Sequence, residues 1–253
     1  QAVGDVLAWL PSVVDAQGLV SFWPGSTGYV SLSAWSLEFL TAAQQAGIAV
    51  DAQLTTRITT ALQRALRSDY RNLITGEEYS ERVMVLRALA TAGKLDQAYL
   101  AELLRRADFL DLESTARLLS VLNASPASPA QARVGLQQKL WDSLVLRKYQ
   151  GRDVFGGFQG SVSARNNLIL PSDTRNLAEI IRAVATLPTA DARLPLLIEG
   201  LVNLGDHRGW GTTHANAAAM TALATVIQPG VLHGPRQNIA ISFAKEILNF
   251  SLR

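Results

Sequence analysis

Residues 32–68 read LSAWSLEFLTAAQQAGIAVDAQLTTRITTALQRALRS, and the two halves of this stretch carry different hydrophobic patterns. Over residues 32–46 apolar side chains, with Trp35, Leu37, Phe39 and Leu40 among them, fall on nearly every side of a helical wheel. A helix of that kind has to be surrounded by other protein. Gly47 follows the last periodic residue as a C-terminal stop. Over residues 52–68, by contrast, Leu54, Ile58, Leu62, Ala65 and Leu66 form one stripe, while Arg57, Gln63, Arg64 and Arg67 lie away from it. The stripe faces a core and the arginines face water.

The same two kinds of segment recur along the chain. Residues 83–92, 116–122, 177–187 and 215–227 are apolar all round, whereas 3–10, 95–107, 130–146 and 194–204 are amphipathic. In order, the chain alternates strictly between amphipathic and fully apolar through ten predicted helices, which describes stacked helical hairpins with an inner and an outer layer. An open solenoid keeps a polar concave layer and repeats of fixed length. Here the inner helices are too apolar and too unevenly spaced for that, so the sequence predicts an all-α fold, an α/α toroid of about five to six hairpins.

The toroid is expected over residues 1–230. Past Pro229 the pattern changes: residues 238–243 alternate apolar and polar with period two, and 247–252 are similar, so 231–253 read as a β-like tail opening a different module. Strand is expected there and nowhere else. Counting hairpins, twelve helices would close six of them, which calls for one inner helix upstream of Gln1 and one more outer helix, with 235–250 the local candidate. The apolar face of Val3, Val6, Leu7 and Leu10 is then expected to be only partly covered.

Composition narrows the function. The chain has 253 residues, 48% hydrophobic and 17% charged, with 23 Lys+Arg against 21 Asp+Glu. A core of that size excludes intrinsic disorder, and a formal charge of +2 disfavours nucleic-acid binding by bulk charge. With no cysteine there is no disulfide, thiolate ligand or Cys nucleophile in these residues. The longest strongly apolar run, 215–227, is too short and too polar to span a bilayer, and the segment after Gln1 lacks the basic n-region of a signal peptide. The protein is therefore cytoplasmic, or a targeting segment lies outside these residues.

The ionisable residues read as structural. His207, His214 and His233 include no pair at metal-binding spacing, so no metal and no cofactor are expected. Glu77, Glu78 and Glu81, and again Asp108, Asp111 and Glu113, cluster at helix starts, where they complement the macrodipole. Asp111, Asp173, Asp191 and Thr212 are placed to cap helices. Arg57, Arg64, Arg67 and Arg71 form a basic flank read as a solvated face. The triplets Asn123-Ala124-Ser125 and Asn249-Phe250-Ser251 are too short a pattern to carry weight. Three connections, residues 17–30, 150–172 and 205–211, each place glycine beside an aromatic residue, and Trp23, Phe158 and Trp210 are each expected to pack over a helix end.

The segment Gly209-Trp210-Gly211-Thr212-Thr213-His214-Ala215-Asn216-Ala217 resembles the Gly-Trp-Gly-Ser/Thr-Thr-Gln-x-Asn-Ala signature of the thioester domain of bacterial α2-macroglobulins. Gly18-Leu19-Val20-Ser21-Phe22-Trp23-Pro24-Gly25, leading into Ser33-Ala34-Trp35-Ser36-Leu37, is similar to an earlier Gly-rich aromatic turn of that family. The resemblance implies an α/α toroid inside a larger periplasmic or secreted protein that traps proteases after they cleave a bait region. It implies no enzymatic activity, with target proteases and the other domains of the same protein as partners. The family's Cys-Gln thioester would lie upstream of Gln1, and nothing here matches it. His214 departs from the usual glutamine. The residues of the signature turn, Trp210, Thr212, His214 and Asn216, are the candidate binding site, with no catalytic residue assigned. The alternative is an enzyme on the same architecture, of the glycosidase, lyase or terpene-cyclase kind, which would need paired carboxylates or an Asp-rich motif.

Overall fold

The computed structural model describes residues 2–125, 129–159, 172–227, 238–243 and 246–251. Pro126, residues 160–171 of the connection 150–172, Pro229 and His233 lie outside them. Ten α-helices occur among the described residues, and the chain divides into two compact units, the first running to Leu110 and the second starting at Asp111.

In the first unit, α1 (Ala2–Trp9) and a short 3-10 turn (Leu10–Val13) precede α2 (Val30–Gln45), α3 (Ala52–Ala65), α4 (Glu78–Thr91) and α5 (Gln97–Arg105). The inner and outer assignments hold. α4 buries every residue from Val83 to Leu89, and α2 buries Leu37 and Leu40, whereas α3 buries only the stripe Leu54, Ile58, Ala61, Leu62 and Ala65. Each fully covered leucine contributes about 2 kcal/mol of transfer free energy, so the contact of α2 with α4 is the backbone of this unit. α3 starts on Asp51, whose carboxylate accepts from the N–H of Gln53 at 2.8 Å and of Leu54 at 3.2 Å. α2 and α4 end as expected at Gly47 and Gly93, with a 6→1 bond from Ile48 N–H to the Ala43 carbonyl and from Lys94 N–H to that of Leu89. α1 buries nothing, and Val3 and Val6 are 39% and 43% exposed, although Leu10 in the turn behind it is covered.

In the second unit, α6 (Leu112–Ala124), α8 (Asp173–Ala185) and α10 (Thr213–Ile227) alternate with α7 (Ala130–Asp142) and α9 (Leu194–Leu204). α6 and α8 are covered on almost all sides. α10 differs from the expectation: it buries one face, Ala215, Ala219, Ala222, Leu223 and Val226, while Met220 and Thr221 are exposed.

Strand is not confined to the tail. β1 (Leu144–Tyr149) and β2 (Arg152–Phe158) form an antiparallel hairpin inside the helical body, so the predicted helix over 130–146 ends at Asp142 and Phe158 sits on a strand instead of over a helix end. Gln150 and Gly151, both at positive φ, make the two-residue turn whose twist matches that of the strands. The register moves between Val145 and Leu146, leaving Gly156 as the extra residue of a bulge. β2 lies on α9, and the close approach needs Gly200, where an added Cβ would fall 2.6 Å from that of Phe155. The tail is strand as expected, β3 (Asn238–Phe243) pairing antiparallel with β4 (Glu246–Ser251). The segment expected to supply a further outer helix is therefore a hairpin.

Candidate functional site

The signature turn is built by Asn216. Its Oδ1 accepts from the backbone N–H of Trp210 at 2.7 Å and lies 2.4 Å from where a Cβ on residue 209 would stand. Gly209 is at φ +98°, so both space and backbone demand glycine there. The Trp210 indole N–H donates at 2.7 Å to the carbonyl of Leu201, in the last turn of α9, and the ring lies against Gly205. This is the expected arrangement of an aromatic over a helix end. Thr212 starts α10, its hydroxyl accepting from Ala215 N–H at 3.1 Å. Of the four candidates the structure thus joins Trp210, Asn216 and Thr212 in one hydrogen-bonded turn.

His214, two residues into α10, is half-buried, and its surroundings depart from the expectation of apolar inner helices. Burial pushes its pKa down to about 4, and the Arg175 and Arg117 guanidiniums push the same way against Glu179. It is neutral at pH 7. The arginines belong to a ladder between α6 and α8. Arg117 pairs with Glu113 one turn before it and, at 3.3 Å, with Glu179; Arg175 reaches Glu113 at 3.4 Å; Arg182 reaches Glu179 at 3.3 Å. The Arg117 and Glu179 side chains are each only 5% exposed. Glu113, read as a helix-start charge, instead turns inward to hold two arginines. Asp111 beside it does cap α6, accepting from Ser114 N–H at 2.7 Å.

The first unit has its own buried charges. Arg87 of α4 grips Glu38 of α2 through two bonds of 2.7 and 3.0 Å. Glu81, grouped with the helix-start acids by sequence, is 1% exposed and accepts from the N–H of Ser31 at 3.1 Å and of Ile74 at 2.7 Å, while burial raises its pKa. It pins the loop before α4 to the first turn of α2. Arg57 and Arg64, read as a solvated flank, donate to the carbonyls of Asp15 and Gln17. The loop they clamp is further closed by the Asp15 carboxylate, which accepts from Gln17, Leu19 and Gly28. That loop presents Phe22 and Trp23, 54% and 70% exposed, so Trp23 does not pack over a helix end as expected.

Each carboxylate described here is held by arginines or backbone N–H groups, and such contacts fix structure. Among the described residues no group of three or more His, Cys, Asp or Glu could hold a metal, and no helix is long and apolar enough to cross a membrane.

No family model and no curated protein sequence matches the chain. Solved structures do. Over 96% of its length the chain superposes on Salmonella alpha-2-macroglobulin reacted with methylamine, at TM-score 0.71 and 15% identity, covering 15% of that chain. It matches native Escherichia coli alpha-2-macroglobulin from domain MG7 to the C-terminus over 97% of its length, at TM-score 0.70 and 16% identity, covering 37% of that chain. It matches trypsin-activated alpha-2-macroglobulin from Escherichia coli over 97% of its length, at TM-score 0.64 and 17% identity, covering 16% of that chain. The chain spans well under half of each of these proteins, and what it shares with them is the fold: that of one region of the bacterial alpha-2-macroglobulins, the family its two aromatic turns resemble.

Proposed function

We propose that this chain is the thioester-domain-like region of a bacterial alpha-2-macroglobulin-type protease trap, acting as a structural and interaction element and not as an enzyme. In this reading residues 1–230 are the α/α toroid, residues 231–253 begin a following β module, and the protein works in the periplasm or outside the cell. The observation that carries the reading is the fold likeness over 97% of the chain to Escherichia coli alpha-2-macroglobulin in both its native and its trypsin-activated form. The chemistry agrees with it, because the buried ionisable groups are spent on holding helices together. Its partners are the other domains of the same polypeptide and the proteases that attack it. Brief treatment of the intact polypeptide with trypsin, followed by native electrophoresis, tests this. A discrete new species of altered mobility after limited cleavage is expected. Progressive degradation to fragments, with no such species, would refute it.

A further inference from the structure

On the first unit, α3 and the C-terminal ends of α2 and α4 border an open groove of about 670 Å³, a volume within the range of small-ligand sites. Six of the residues lining it are threonine and three are glutamine, and Lys94 is the one charged side chain among them. This is an unusual wall for the outer side of a helix. Exposed helix positions are normally filled by long charged side chains, and threonine is a poor helix former, yet α3 carries Thr55, Thr56, Thr59 and Thr60 in two adjacent pairs.

The hydroxyl protons of five of the six threonines are already committed. Thr41, Thr55, Thr56, Thr59 and Thr91 each donate to the carbonyl four residues earlier, at 2.7 to 3.0 Å. A hydroxyl so committed can meet a ligand only as an acceptor, with the methyl beside it. The helix ends on this side turn the negative pole of their dipoles toward the groove, which disfavours an anion, while Lys94 disfavours a cation. Gln44, Gln45 and Gln63 add amides that both donate and accept. The matching ligand is neutral, rich in hydroxyl donors and partly apolar on its C–H faces. We propose that this groove binds a short neutral saccharide.

The test is titration of the isotope-labelled 253-residue chain with maltotriose and with triacetylchitotriose, read by amide NMR. Either sugar is expected to shift residues 41–45, 55–63 and 91–94, including the glutamine side-chain amides, with a Kd of about 1 mM, as suits an open site. Thr56→Lys with Thr60→Lys puts two long charges into the groove at exposed helix positions; it should weaken binding at least about tenfold while leaving the circular dichroism spectrum and melting temperature in place. No shifts with either sugar at about 20 mM, unaltered binding by the double variant, or shifts produced instead by glucuronate alone would overturn the proposal.

Discussion

Replacing Glu179 by alanine removes the carboxylate that Arg117 and Arg182 share, so that Arg117, almost entirely out of water, loses one of its ion-pair partners and shares Glu113 with Arg175. A buried ion pair is weak evidence for stability as it stands, since desolvation offsets much of the Coulomb attraction. Breaking one by deleting a single partner is different and costs about 3 to 5 kcal/mol, because the remaining charge stays buried. For a chain of 253 residues the unfolding entropy is roughly 0.5 kcal/mol per degree, so Glu179→Ala should lower Tm by about 6 to 9 °C. Thermal melts followed at 222 nm, with urea titration for the free energy, measure it. The companion Arg117→Met with Glu179→Leu removes both charges and fills the space. It should fall within about 1 kcal/mol of the parent. A Glu179→Ala chain that melts within 2 °C of the parent, by the same conversion about 1 kcal/mol, would show that the ladder is hydrated and that the second unit does not depend on it.

His214 is held at about 4 against 6.5 in an unfolded chain, so its contribution to stability is complete above pH 6.5 and is lost as pH falls toward 4; His214→Gln should flatten that part of the pH–stability curve by about 1 to 2 kcal/mol after allowing for its partial exposure, and an unchanged slope would refute it. Glu81 has the opposite sign, its raised pKa making the ionised form a burden that is relieved as pH drops. Glu81→Gln should nonetheless cost about 1 to 3 kcal/mol, because an amide can accept from only one of the Ser31 and Ile74 N–H groups through its oxygen, and proteolysis between residues 66 and 77 should quicken. Asn216→Ala orphans the Trp210 N–H and should cost about 1 to 2 kcal/mol, with loss of near-ultraviolet dichroism from the indole. Thr56→Ala with Thr60→Ala should raise stability by about 1 kcal/mol, since both sit exposed on a helix that alanine favours.

The layering was legible because it depends on period alone. The stripe Leu54, Ile58, Leu62, Ala65 and Leu66 falls on the buried face of α3 and its C-cap, to which the structure adds Ala61, and the end signals at Gly47, Gly93 and Asp111 sit where the helices stop and start. The β1–β2 hairpin was missed because Gly156 inserts a bulge that breaks the period-two pattern of 152–158, and the Gln150-Gly151 turn is a weaker signal than Asn-Gly. The buried ladder was missed for another reason. Arg117, Arg175 and Glu179 look like isolated charges in apolar runs, although Glu113 with Arg117 and Arg175 with Glu179 stand at i,i+4 on helices that had to be enclosed. Charge pairs at that spacing on an enclosed helix are the signal that could have found them. At the signature turn, the sequence resemblance singled out Trp210, Thr212 and Asn216, which share one hydrogen-bond network, but could not show that His214 faces two arginines brought from α6 and α8. Trp23 escaped prediction because an aromatic beside glycine reads the same whether it packs inward, like Trp210, or outward.

The central claim, that this fold serves to trap proteases and not to catalyse, is tested most directly by size-exclusion chromatography of the intact polypeptide mixed with trypsin, run in parallel with trypsin whose active serine has been blocked. If the chain belongs to a trap sprung by cleavage, active trypsin co-elutes with the polypeptide and blocked trypsin elutes alone. Equal co-elution of both, or of neither, would contradict the account.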